Sequence, residues 1–356
     1  MVHAPERPAP GAPPVRINLY SDTQTRPTPA MKEAMMRAEV GDEQHGDDPT
    51  VNKLCDRMAA LLGKEAAVFL PSGTMCNIVA TLTHCRPGDE ILAHESAHIL
   101  TSEAGGHGAL GGVQITPLRG PRGMFTADDV RAAIRPRRRH SPPQTMLEVE
   151  QTSNAGGGAV WPKAQLDAVS AVAKEHGLAT HMDGARLMNA CVASGVAPAE
   201  MVAGWDSVWL DFTKGLGAPL GAVLCGTTEF IDAAWRWKQR LGGSMRQAGI
   251  CAAACLYALD HHVDRLAEDH ANAKAFARGL RQIPGIEVVE PDTNLVYFDP
   301  SGAGMSAAEL VRALRMHGIL ISLLGGRIRG CTHLDVTAAM IEETLEVIRT
   351  VLARGG

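Results

Sequence analysis

The sequence predicts an α/β protein: a large domain on a mostly parallel sheet, followed by a smaller α+β C-terminal domain. Three observations predict it. Short apolar runs alternate with helical patterns from Arg16 to about residue 230, the repetition that builds a parallel sheet covered on both faces. After Gly249 the pattern changes to a long helical stretch, short strands and a final helix. At 356 residues the chain is too long for one small domain and about right for two.

Residues 1–15, rich in proline, are expected to form a flexible arm that is neither a signal peptide nor a membrane anchor. The large domain is expected over 16–249 and the small one over 250–356. Ala67-Val68-Phe69-Leu70 predicts a buried strand, leading through Pro71-Ser72-Gly73-Thr74 into an apolar helix to Ala80. Further strands are expected from Glu90 to His94, Val113 to Pro117, Met146 to Val149, Leu178 to Met182 and Val208 to Phe212. A helix from Lys163 to His176 has Pro162 at its first turn and Gly177 as its stop. Thr126, followed by Asp128 and Asp129, caps another. Beyond Gly249, helix is expected from Ile250 through about Gln282. Strands follow at Ile286 to Val289, Leu295 to Phe298 and Ile319 to Ser322, with a last helix from Thr337 to Leu352.

Composition excludes several function classes. The chain is 45% hydrophobic and 21% charged, which rules out disorder as its main state. Its net charge of −5 provides no basic field to recruit nucleic acid. The one dense basic cluster, Arg135 to Arg139, is expected to be a solvated loop. No stretch of about 20 apolar residues is present to span a bilayer. The eight cysteines form no CxxC pair and no zinc-finger spacing, so no metal site is expected. They suit reduced, buried thiols of a cytoplasmic protein.

The chemistry-bearing segments each follow a strand. In Asp211-Phe-Thr-Lys214-Gly-Leu-Gly, a lysine leaves a buried strand for a glycine-rich turn. Desolvation there is expected to lower its pKa, and a deprotonated amine suits Schiff-base chemistry. Asp183 ends another strand, where pyridoxal phosphate needs an acid against its ring nitrogen. Ser72-Gly73-Thr74 opens a helix whose N–H groups and hydroxyl suit a phosphate. An exposed loop lysine and a helix-capping aspartate are the alternatives for each segment alone. The ordered series is more specific than its parts.

These segments, with Ser21-Asp-Thr-Gln-Thr-Arg-Pro27, Glu39-Val-Gly-Asp42, Ala97-His98-Ile99, Glu103-Ala-Gly-Gly106, Gly242-Gly-Ser-Met-Arg-Gln247 and Thr332-His-Leu-Asp-Val336, give the chain a marked resemblance. It resembles the fold-type-I, pyridoxal-phosphate-dependent L-threonine aldolases of the β-eliminating lyase group, from Ile17 onward. The resemblance implies Lys214 as the lysine that carries the cofactor and Asp183 as partner of the ring nitrogen. It implies His98 stacked on the cofactor's face, Ser72, Gly73 and Thr74 at the phosphate, and Arg186 near the phenolic oxygen and substrate. Ser21 and Arg329 would hold the substrate carboxylate, for which a guanidinium fork is suited. The implied reaction is retro-aldol cleavage of a β-hydroxy-α-amino acid to glycine and an aldehyde. The implied assembly is a homodimer or homotetramer with shared active sites.

The chain departs from that pattern on the side facing the substrate's β-substituent. His45 and Ser102 stand where the family commonly has tyrosine, and Ser153 stands where it has histidine. Only three tyrosines occur, Tyr20, Tyr257 and Tyr297, so none fills either position. His45, His98 or a water would then handle the hydroxyl proton, with His45 lining the substrate. Other expectations are β-elimination or transaldol transfer on the same scaffold, or a non-catalytic binding protein.

Overall fold

The computed structural model describes Gly11 and residues 13–355. Most of the expected N-terminal arm lies outside those residues. The described residues form two compact units, one of those up to 24 together with those from 268 onward, the other of 25–267. The division therefore follows Ala267 instead of Gly249. The helix Gly249–His261 packs on the helices Pro29–Met36 and Pro49–Leu62 of the larger unit. Ala252, Ala254, Cys255 and Ala258 are buried in that unit's main core.

Strand β1 (Ile17–Leu19) belongs to the smaller unit. The larger unit holds β2 (Ala66–Leu70), β3 (Glu90–His94), β4 (Gln114–Leu118), β5 (Gln144–Glu150), β6 (Ala179–Gly184), β7 (Ser207–Asp211) and β8 (Ala222–Gly226). Their order is β2-β8-β7-β6-β5-β3-β4. The five strands from β7 to β4 run parallel, whereas β8 is antiparallel to both β7 and β2. All six expected strands of this unit form within two residues of their expected limits. The sequence reading did not include β8, whose five residues are all buried.

The smaller unit carries β9 (Glu287–Val288), β10 (Leu295–Asp299), β11 (Ile319–Leu324) and β12 (Arg327–Cys331). With β1 they form a sheet ordered β1-β11-β12-β10-β9. The expected single helical stretch from Ile250 is two helices, Gly249–His261 and Leu266–Arg281. The Arg135–Arg139 loop is exposed, and Arg135 reaches from it to the buried carboxylate of Glu90. All eight cysteines are free thiols. Among the described residues, no helix is long and apolar enough to cross a membrane.

Side-chain alternation along the central strands sets the site. Leu147, Val149, Met182, Val208 and Leu210 enter the main apolar core. Their neighbours in sequence point to the opposite face. The register then aligns Glu148 with His181 and Ser207, and Glu150 with Asp183 and Trp209. Two polar rows thus cross three parallel strands, the second lying nearer their carboxyl ends, where open α/β sheets place their sites.

Candidate active site

Asp183, 1% exposed on β6, is held from two sides. Its Oδ2 accepts from Asn77 Nδ2 at 2.9 Å, and its Oδ1 from the Ala185 N–H at 3.0 Å. Burial pushes this carboxyl up from its ordinary range, opposed by the Lys214 charge and the Asn77 bond.

Asn77 lies on the helix Gly73–His84, four residues (about 6 Å of helix) from the N-terminal turn. That turn carries Ser72, Gly73 and Thr74. The Ser72 hydroxyl accepts from the Met75 N–H and so caps the helix. A Cβ at Gly73 would meet the Trp209 ring at 2.2 Å, so this close approach requires glycine. Asn77 Oδ1 accepts from Trp209 Nε1 at 2.7 Å and faces His181 Nε2 at 3.1 Å. Because an indole N–H can only donate, Asn77 Oδ1 is the acceptor and His181 carries its proton on Nε2. Burial brings His181 down to about 3, so it is neutral.

Glu103 organises the opposite side. Its Oε1 accepts from Asn77 Nδ2 and His98 Nδ1, both at 2.8 Å, and its Oε2 from His107 Nε2 at 2.8 Å. Burial would raise this carboxyl, but the bonds from His107, His98 and Asn77 outweigh it and hold it at about 2. The Glu103 bond in turn raises His98 above its ordinary value. His98 keeps 38% of its side chain exposed, leaving ring surface for a flat ligand. Ligand-type atoms of His98, Glu103 and Asp183 lie within 4.8 Å of one another. Within this group His98 and Glu103 are hydrogen-bonded directly, and Asn77 links Glu103 to Asp183.

Lys214 follows β7. Its Nζ donates to Asp211 Oδ2 at 2.8 Å and sits 5.7 Å from the Trp209 ring centroid. The expected lowering of its pKa is corrected here. Burial does pull it down, but the Asp211 carboxylate and the Asp183 charge outweigh burial and the Arg186 charge, and it is raised. Arg186, 5% exposed, stands at the start of the helix Leu187–Ser194. Glu150, beside Asp183 in register, is pushed up to about 7, first by burial and then by the Asp183 charge.

Lys214, Asp183, His98, Arg186 and the Ser72–Thr74 turn are thus brought into one electrostatic and hydrogen-bonded neighbourhood of the larger unit. His45 is exposed and lines an open recess of about 630 Å³ with Cys55, Phe69 and Trp235. Nearby Glu43 and Lys238 form a fully buried ion pair. Lys238 also lies 4.2 Å from the Trp235 ring centroid. Ser102 is exposed. Ser153 is 1% exposed and its Oγ accepts from the Gly156 N–H.

In the smaller unit the register sets Ser322 opposite Arg329. Arg329 donates from Nε to Ser322 Oγ at 3.1 Å and from Nη2 to the Tyr20 carbonyl at 3.0 Å. Ser21, next in the chain, is buried, and its Oγ accepts from Thr23 Oγ1 at 2.9 Å. The two residues expected to hold a carboxylate therefore meet through Tyr20.

Sequence reading missed Asn77, Trp209, Asp211 and the role of Glu103. The available signals were the i+4 spacing of Asn77 from Gly73 and the alternation of polar residues along β5 to β7.

The donor set fits pyridoxal phosphate: a buried carboxylate for a ring nitrogen, an amine within the same cluster, a half-exposed imidazole and a helix N-terminus for a phosphate.

Comparison with known proteins agrees. The β-eliminating lyase family model matches residues 18–302. The "low specificity L-threonine aldolase" of Escherichia coli (strain K12) is 42% identical over 339 residues, covering 95% of this chain and 100% of that protein. The "low-specificity L-threonine aldolase 1" of Arabidopsis thaliana is 38% identical over 344 residues, covering 94% and 96%. A solved structure of the threonine aldolase of Leishmania major shares the fold, with a TM-score of 0.79 at 22% identity, covering 94% of this chain and 99% of that one. The chain belongs to the β-eliminating lyase family, among its L-threonine aldolases.

Proposed function

We propose that this protein is a pyridoxal-phosphate-dependent aldolase that cleaves L-threonine, L-allo-threonine or a related β-hydroxy-α-amino acid to glycine and an aldehyde. The observation that carries the reading is the linked set Lys214, Trp209, Asn77 and Asp183, with His98 fixed beside it through Glu103. Lys214 would hold the cofactor covalently, Asp183 would face its ring nitrogen, and His98 would cover one face. The Gly73 and Thr74 N–H groups would hold the phosphate at the helix N-terminus, with Ser72 fixing that turn and Arg186 near the phenolic oxygen. Bound pyridoxal phosphate supplies an electron sink for the carbanion left at the substrate α-carbon.

The remaining steps belong to the chain. Ser21 and Arg329 hold the substrate carboxylate and so fix which bond at the α-carbon is aligned for cleavage. His98 donates its Nδ1 proton to Glu103, which leaves Nε2 as the acceptor when the ring is neutral. In our reading this nitrogen takes the β-hydroxyl proton and returns a proton later. His45 lines an open recess, and Ser153 is packed inside a turn. Exposed Met36 and Ile250, on two helices that pack together, offer a surface for a second copy in a homodimer or homotetramer. Eight free thiols suit the cytoplasm.

Incubation with threonine, allo-threonine and phenylserine tests this. Glycine with the matching aldehyde is expected from at least one, and neither product from any would sink it. The replaced positions Ser102 and Ser153 favour β-elimination as the second reading, for which serine would yield pyruvate and ammonia.

A further inference from the structure

We propose that Asp211 is the counter-ion on which Lys214 docks as an ammonium whenever the lysine is not bonded to the cofactor. The proposal rests on the functional reading above and deepens it.

The local chain leaves one mobile part. Asp211 ends β7 and is 6% exposed. Its Oδ1 is taken by the Thr213 N–H at 2.8 Å and the Thr213 hydroxyl at 2.7 Å, so Oδ2 is presented to Lys214 at 2.8 Å. The Lys214 carbonyl accepts from Thr25 Oγ1 and from the Gly217 N–H, both at 2.9 Å. The Ala218 N–H closes the turn on the Phe212 carbonyl at 2.8 Å. The lysine's main chain is therefore pinned, and only its side chain swings between Asp211 and a ligand.

The other charged groups facing this pair are Asp183 and Arg186 on the Lys214 side. The Cys76 and Cys255 thiols lie near Asp211, and burial raises both, which keeps them neutral. Asp211 is thus the carboxylate in direct contact with the lysine. A protonated lysine is not a nucleophile, so docking holds it out of reaction.

Proton balance favours the same arrangement. An amino-acid substrate arrives as an α-ammonium ion. As its nitrogen forms a C=N bond in place of the one that Lys214 held, it gives up two protons and Lys214 Nζ gains two, which leaves the lysine as an ammonium. One ammonium enters, one ammonium is left, and Asp211 receives it without release of a proton to solvent.

The test labels cofactor-free protein with a trace of an amine-acylating reagent across a pH series and quantifies Lys214 and Lys238 by peptide mass spectrometry. At about pH 8, below the ordinary lysine range, Asp211→Asn is expected to label severalfold faster than wild type at Lys214. Asp211→Glu should stay near wild type, and buried Lys238 should not change in any variant. Equal labelling of Lys214 in wild type and Asp211→Asn would overturn the proposal, as would a parallel rise at Lys238, which marks general loosening. If Asp211→Asn does not fold, Asp211→Ser makes the same charge comparison. Separately, pyridoxal phosphate and borohydride are applied to wild type. Absence of a fixed adduct there would overturn the functional reading itself, whichever way the labelling falls.

Discussion

Nδ2 of Asn77 donates to Glu103 at 2.8 Å and to Asp183 at 2.9 Å, so one amide holds two buried carboxylates in register. Its Oδ1 is occupied by Trp209 and His181, which fixes the amide's orientation. The acid meant for a ring nitrogen and the acid that orients His98 are therefore positioned by one side chain of the phosphate-side helix.

Glu103→Gln should move the acid limb of the kcat profile to lower pH. His98 is raised by its bond to the Glu103 carboxylate, so removing the charge lowers it and more of the ring is neutral in acid. The amide also sets an N–H₂ against one of three N–H donors. Stability should fall by about 1.5–3 kcal/mol. Activity against pH and chemical denaturation measure the two effects.

Ser153→His should not add activity. A Cβ at Gly123 would meet Ser153 Oγ at 1.8 Å, and one at Gly156 would meet it at 2.7 Å, so this turn has no spare volume. Overpacking is expected to cost about 1–3 kcal/mol. A gain in threonine cleavage with unchanged Tm would contradict the assignment of His98 as the base.

Glu148 carries a pH-dependent cost. Both of its carboxyl oxygens are buried without a partner, and burial raises it well above its ordinary value. A carboxyl raised in the folded state favours folding while protonated. That contribution is complete below the unfolded pKa of about 4.3 and is lost as pH rises toward the folded value. Glu150, raised to about 7, acts in the same direction. Glu148→Gln should therefore raise Tm at alkaline pH and change it little near pH 5, a contrast read by thermal scans.

Lys238→Met should destabilise the larger unit by about 3–5 kcal/mol, because it leaves the Glu43 charge buried and unpaired. Glu43 also accepts from the Met245 N–H, at 2.9 Å, so the loss should spread to the Gly242–Arg246 segment. A Glu43→Gln, Lys238→Met double variant should recover part of the loss in a double-mutant cycle.

Much of this was legible in the sequence because it is local. The β3 limits were read directly, since an apolar run ends at charged or turn residues on both sides. Lys214, Asp183 and the Ser72–Thr74 turn each follow such a run. β8 was not read because Ala222–Gly226 directly follows a glycine-rich turn and carries no alternation, being buried on both faces. The Lys214 titration was misread because burial is visible in an apolar strand, whereas the direction of the Asp211 carboxylate is not. The pairing of Arg329 with Tyr20 depends on register across 309 residues, which no local pattern encodes. The missing tyrosines were visible from the start. The structure adds that Ser153 packs inside a turn and that His45 lines an open recess.

The central claim is that Lys214 is the residue that bonds pyridoxal phosphate. Borohydride reduction of the reconstituted protein, followed by peptide mapping, tests it most directly. The account predicts a reduced pyridoxyl group on Lys214 alone, absent from Lys214→Ala. Modification at another lysine, or none on folded protein saturated with pyridoxal phosphate, would contradict it.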